Sequence, residues 1–104
     1  MRQELINQAE MVIDDELDWS YHAHGKFPSQ YHGIAIIYEE LQESQEELQR
    51  AMDGFEKAWE LIRNNLDAAE QIKQLGENAK LLVCEATQMS AMCSKYIESS
   101  EGWK

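Results

Sequence analysis

A chain of 104 residues can bury one modest hydrophobic core, so a single domain over 1–104 is expected, with self-association adding burial. Twenty acidic residues against nine basic ones give a formal charge of −11, which excludes the phosphate backbone of duplex nucleic acid as a natural partner, because cationic contacts supply most of that affinity. One proline, five glycines and abundant Glu, Gln, Leu, Ala and Met exclude a sheet-rich fold and favour helix.

Leu5, Ile6, Ala9, Val12, Ile13, Leu17 and Ser20 recur at three- and four-residue steps, so a first helix is predicted over 1–21, with Trp19 near the edge of its apolar face. The start lacks the apolar core of a secretory signal, and no stretch approaches membrane-spanning length, so a soluble, cytoplasmic protein is expected. The loop His22-Ala23-His24-Gly25-Lys26-Phe27-Pro28 breaks the pattern, and Ser29 is placed to cap the next helix. In that helix, predicted over 30–52, Ile34, Tyr38, Leu41, Gln45, Leu48 and Met52 form the main apolar seam, suited to bundle packing. Asp53-Gly54 marks its end or a bend.

Phe55, Ala58, Trp59 and Ile62, then Leu66, Ala69, Ile72 and Leu75, continue a helical pattern across Asn64 and Asn65, as one helix or two. Gly76 separates it from a last helix over 77–97 with Leu81, Leu82, Met89, Met92, Cys93 and Tyr96 on one face. Residues 98–104 are expected to fray. Cys84 and Cys93, both on this helix, cannot bridge one another and are expected as small core residues. The sum is an all-α domain, an antiparallel bundle of about four helices.

Glu85 falls in the middle of the last helix's apolar stripe, where an ionised carboxylate is costly unless it is paired, hydrogen-bonded or bound to a metal. A Lys, a Tyr hydroxyl or a Trp N–H from another helix would also satisfy it, as would escape to solvent. On the second helix Glu40, Glu43 and Glu47 share a face behind Ile36. Like charges at that spacing either line a solvated face or meet a cation. Two helices offering carboxylates at i and i+3 can hold Mg²⁺ and leave positions for water and phosphate oxygens.

Glu40-x-x-Glu43 followed by Glu85-x-x-Gln88 resembles the ExxE and ExxD motifs of the MazG-like all-α nucleoside triphosphate pyrophosphohydrolases. The stretches His24-Gly25-Lys26-Phe27-Pro28-Ser29, Gly33-Ile34-Ala35-Ile36-Ile37-Tyr38-Glu39-Glu40-Leu41 and Glu85-Ala86-Thr87-Gln88-Met89-Ser90-Ala91-Met92-Cys93 are similar to small phage- and prophage-encoded members of that group. The resemblance implies that Glu40, Glu43 and Glu85, with Gln88, bind Mg²⁺ or Mn²⁺ and that a nucleotide is cleaved between its α and β phosphates. Gln88 departs from the motif, since an amide offers an oxygen without the charge of aspartate. The segment 54–75 has no counterpart in the resemblance. The competing expectation is a catalytically degenerate relative, or a phage or prophage helical module, acting as an oligomeric interaction partner.

His22, His24 and His32 flank the first loop and would make a transition-metal site only if the loop gathered them. Trp19, Tyr31 and Trp59 could stack on a base, but bulky aromatics in a small bundle more often fill a core or a dimer interface. There is no glycine-rich phosphate loop and no Ser or Cys nucleophile in a recognisable setting.

Overall fold

The computed structural model describes residues 1–103 and is all-helical: α1 (Gln3–His24), α2 (Gln30–Arg63), α3 (Ala69–Ser100) and a closing 3₁₀ turn (Glu101–Trp103). Three long helices replace the expected four. Gly54 and Gly76 do not interrupt α2 and α3; a mid-helix glycine costs only about 1 kcal/mol, too little to end a helix packed along its length. The break comes at Asn64-Asn65 instead. Asn65 takes a left-handed φ of 59°, the Leu66 N–H bonds back to the Leu61 carbonyl, and the Asn65 N–H bonds to that of Ile62, which together form a Schellman stop. At the other end of α2, the Ser29 hydroxyl accepts from the His32 N–H, as its sequence position suggested.

α3 is the centre of the arrangement. α1 and α2 both pack on it, and their backbones do not approach one another. Ser20 sits beside Met92 and Lys95, and Phe27 beside Ser99, so α1 runs parallel to α3. Gly33 meets Tyr96 whereas Glu40 lies level with Gln88, so α2 runs antiparallel to it. The core is small: Phe27, Ala91 and Met92, with Ile13, Leu17, Ile36, Ile37, Tyr96 and Trp103 packed around them. The expected fraying of 98–104 does not hold for the described part. The Trp103 indole donates to the Phe27 carbonyl at 3.0 Å and stands edge-on to Tyr96, which pins the end of α3 to the first loop; Lys104 lies outside the described residues.

The second helix rotates its seam away from the position the sequence suggests. Small residues, Gly33, Ser44 and Ala58, are buried on α2, while Ile34, Tyr38, Leu41, Leu48 and Met52 are all about half exposed or more. Close approach to α3 explains the exchange, since only small side chains let two helices come near along a straight line. Gly33 is the tightest point, where a Cβ would lie 2.7 Å from the Tyr96 ring and 3.1 Å from Phe27. Gly33→Ala is therefore expected to cost about 1–3 kcal/mol, read as a lower urea midpoint at unchanged slope. Ser44 satisfies its hydroxyl by donating to the Glu40 carbonyl at 2.9 Å. Cys84 and Cys93 are exposed thiols rather than core residues.

Candidate functional site

Glu40 and Glu43 stand one turn apart on α2, and Glu85 faces them from α3 because the two helices run antiparallel. One carboxylate oxygen from each lies within 4.8 Å of the others. Neighbouring oxygens around octahedral Mg²⁺ are about 3 Å apart and opposite ones about 4 Å, so a modest contraction of side chains would place all three on one ion. Among the described residues this is the one group of three or more acidic, His or Cys side chains with such spacing.

The electrostatics fit a cluster short of positive charge. Desolvation pushes the Glu85 carboxyl up to about 7, helped by a hydrogen bond with Glu43 and by the negative charges of Glu43, Glu40 and Glu47. Glu40 is also raised, first by burial, then by Glu43, Glu39 and, from α1, Glu16. Glu47 adds a further strained oxygen: its Oε1 accepts from Arg50, while its Oε2 is buried with no hydrogen-bond partner. Glu47 shares the face of Glu43 in the sequence, but only burial reveals that one of its oxygens is orphaned.

Gln88 belongs to the same cluster. With its amide nitrogen turned to the carboxylates, the orientation its surroundings require, it donates to Glu40 Oε2 at 3.1 Å and to Glu85 Oε2 at 3.2 Å. An amide flip would present an oxygen instead, so this side chain suits either a cation-free or a cation-bound cluster. Were the cluster to hold Mg²⁺, Gln88→Asp would tighten that binding about tenfold; in chelator the same change is expected to lower the melting temperature, because a fourth carboxylate adds affinity for a cation and repulsion without one. Calorimetric titration with Mg²⁺ and melts in EDTA read the two effects separately.

Beside the cluster a cavity of about 390 Å³ opens between α1 and α2, with α3 as its floor. Glu16, Glu39, Glu40 and Gln88 line one end; His24, Lys26, His32 and Lys95 line the other, and Trp19, Phe27, Ile36 and Met92 supply apolar wall. The three histidines are not gathered as metal ligands. His22 bonds back to the Asp18 carbonyl on its own helix, His24 stands edge-on to Trp19, and His32 lies against the Phe27 ring. Of the aromatic candidates, Trp19 reaches the cavity, while Tyr31 and Trp59 are exposed elsewhere.

Lys95 is the residue the sequence did not single out. It is 1 % exposed, and its ammonium donates to the Ser20 hydroxyl at 2.9 Å while lying 4.7 Å from the Phe27 ring centre and 5.4 Å from that of Tyr21. Burial lowers its pKa. In the sequence, a lysine near the end of an amphipathic helix is an ordinary snorkelling residue, and only the neighbouring helix shows that it points inward.

Compared with protein-family models, with curated proteins and with solved structures, the chain matches none of them.

Proposed function

We propose that the chain is a divalent-cation-dependent nucleotide pyrophosphohydrolase of the MazG-like kind. The observation that carries this reading is the convergence of Glu40, Glu43 and Glu85, of which Glu40 also lines a cavity of ligand size. These carboxylates would hold Mg²⁺ or Mn²⁺, which when bound supplies charge neutralisation at phosphate oxygens and acidifies an attacking water. Glu47, with one oxygen free and buried, is positioned near enough to Glu85 to perturb it and is the candidate to accept that water's proton. Trp19 and Ile36 give the cavity apolar wall for the rest of the nucleotide.

Pyrophosphate release from a panel of canonical and modified nucleoside triphosphates, with and without Mg²⁺ or Mn²⁺, tests the reading. Cation-dependent release that is lost in Glu40→Gln and Glu85→Gln is expected. Silence across the panel would favour the second reading, a degenerate bundle kept for binding, to which Gln88 lends weight because its amide already satisfies two of the carboxylates without a cation.

We further propose that the working unit is a homodimer joined through the outward face of α2. The radius of gyration is 17.6 Å and the extents are 61 × 30 × 22 Å, against about 13 Å for a compact chain of this length. Ile34, Tyr38, Leu41, Leu48, Met52, Phe55, Trp59 and Ile62 are 48–58 % exposed and lie at heptad steps along α2. The strip runs about 40 Å and offers on the order of 800 Å² per protomer, the size of a stable interface. A second copy fits by charge. Glu39, Glu40, Glu43, Glu46 and Glu47 crowd residues 30–47 of α2, whereas over 48–63 Arg50, Lys57 and Arg63 are balanced by Asp53, Glu56 and Glu60, so an antiparallel pairing sets the acidic part of one copy against the neutral part of the other and keeps the two acidic parts apart.

A further inference from the structure

Two features of the cavity are unexplained by a cation site at the carboxylates. The first is polarity. Moving along the helices from Glu16 to His24 on α1, from Glu40 back to His32 on α2 and from Gln88 to Lys95 on α3 leads in one direction, and every step goes from the acidic or amide end to the basic end. Each step covers about two helical turns, or roughly 10–12 Å. The cavity is thus a cleft with carboxylates at one end and cations at the other.

The second feature is Lys95 itself. An ammonium that is 1 % exposed normally faces a carboxylate, and no carboxylate is paired with it among the described residues. Of its three donors one goes to Ser20, and the Phe27 and Tyr21 rings give only diffuse attraction. Lys26, from the loop, lines the same end. A buried cation lining a cavity without a counter-charge is the complement of an anionic ligand group.

We propose that Lys95, with Lys26, forms an anion subsite that binds a phosphate group independently of any cation held by Glu40, Glu43 and Glu85. It deepens the proposed function by assigning the basic end to the terminal phosphate of a polyphosphate chain whose other phosphates face the carboxylates, and to that extent rests on it. Lys95 is compact and its hydrogen bond to Ser20 fixes its direction, so the subsite is selective for a small, multiply charged oxyanion over a carboxylate of similar size.

Inorganic pyrophosphate titrated into the full chain in EDTA, followed by calorimetry, tests the subsite without cation or turnover. Binding is expected in the wild type, with acetate much weaker, and should fall at least tenfold in Lys95→Met and severalfold in Lys26→Met. Glu40→Gln should bind it at least as tightly, because that variant leaves the basic end intact and removes a negative charge that the second phosphate faces. Mg²⁺ binding in the absence of pyrophosphate should survive Lys95→Met, so loss of the cation site and loss of the anion subsite are read apart. If Lys95→Met does not fold, the NMR signals of the Lys95 side chain in the wild type decide, and they should shift on addition of pyrophosphate. Absence of pyrophosphate binding in EDTA, equal binding in a folded Lys95→Met, or Lys95 signals that stay still would each overturn the proposal.

Discussion

Under the proposed function, Glu85→Gln is expected to reduce cation-dependent pyrophosphate release by at least about 100-fold and to abolish stabilisation by Mg²⁺, and whatever the function it should make the chelated protein more stable at pH 8. The opposite signs follow from one cause. Burial, the hydrogen bond with Glu43 and the nearby negative charges lift the Glu85 carboxyl from an ordinary 4.5 to about 7. Between those values the folded chain keeps a proton that the unfolded chain has released. The unfolded state then binds fewer protons, so this group makes stability fall as pH rises from about 4.5 to about 7 and leaves it low above that. A glutamine at 85 does not ionise, so the variant should lack this part of the fall and melt higher than the wild type in EDTA at pH 8. In saturating Mg²⁺ the order should invert, because only the wild type gains the binding free energy. Thermal melts of both proteins at pH 5 and pH 8, each in EDTA and in Mg²⁺, read the two effects apart. Equal Mg²⁺ stabilisation of both proteins would remove Glu85 from the proposed ligand set.

Leu48→Glu combined with Trp59→Glu is expected to convert a dimer into a monomer and to lower the melting temperature by more than about 10 °C. Both side chains are about half exposed on the outer face of α2, 48 % and 50 %, so neither change disturbs the packing on α3. In a symmetric dimer each is buried twice, and each burial of such a side chain is worth about 1.5–3 kcal/mol. A few kcal/mol is a large share of the stability of a chain this small and corresponds to a shift of that size. Sedimentation equilibrium across a range of concentrations reads the mass, and far-ultraviolet circular dichroism reads the melt. A wild type that sediments as a monomer at high concentration, or a variant that remains a dimer, would rule out this face as the interface.

Much of the acidic cluster was legible in the sequence. Helical periodicity placed Glu85 on an apolar stripe and put Glu40 and Glu43 on one face, because side-chain direction in a helix is fixed by residue number alone. Their convergence was not legible, since it depends on α2 lying antiparallel to α3 at a register set around the close approach of Gly33 to Tyr96. The orphaned oxygen of Glu47 and the inward ammonium of Lys95 were invisible for the same reason: burial is a property of neighbours.

The fold divides along similar lines. Sequence by itself determined that the protein is all-helical, that Ser29 begins the second helix and that the first loop runs through Gly25 and Pro28, because these are local matters of propensity, capping and φ. It also showed an apolar heptad strip on the second helix, but the bundle packing expected of that strip is not what the fold uses, since its large side chains stay about half exposed. Tertiary structure decided that Gly54 and Gly76 lie inside helices, that the chain turns at Asn64-Asn65, and that α2 meets α3 through its small residues and keeps its large ones outside. The physical reason is that a weak helix former costs about 1 kcal/mol, less than continuous packing returns, and that two apolar faces on one helix compete for a single neighbour by how closely each lets the backbones approach.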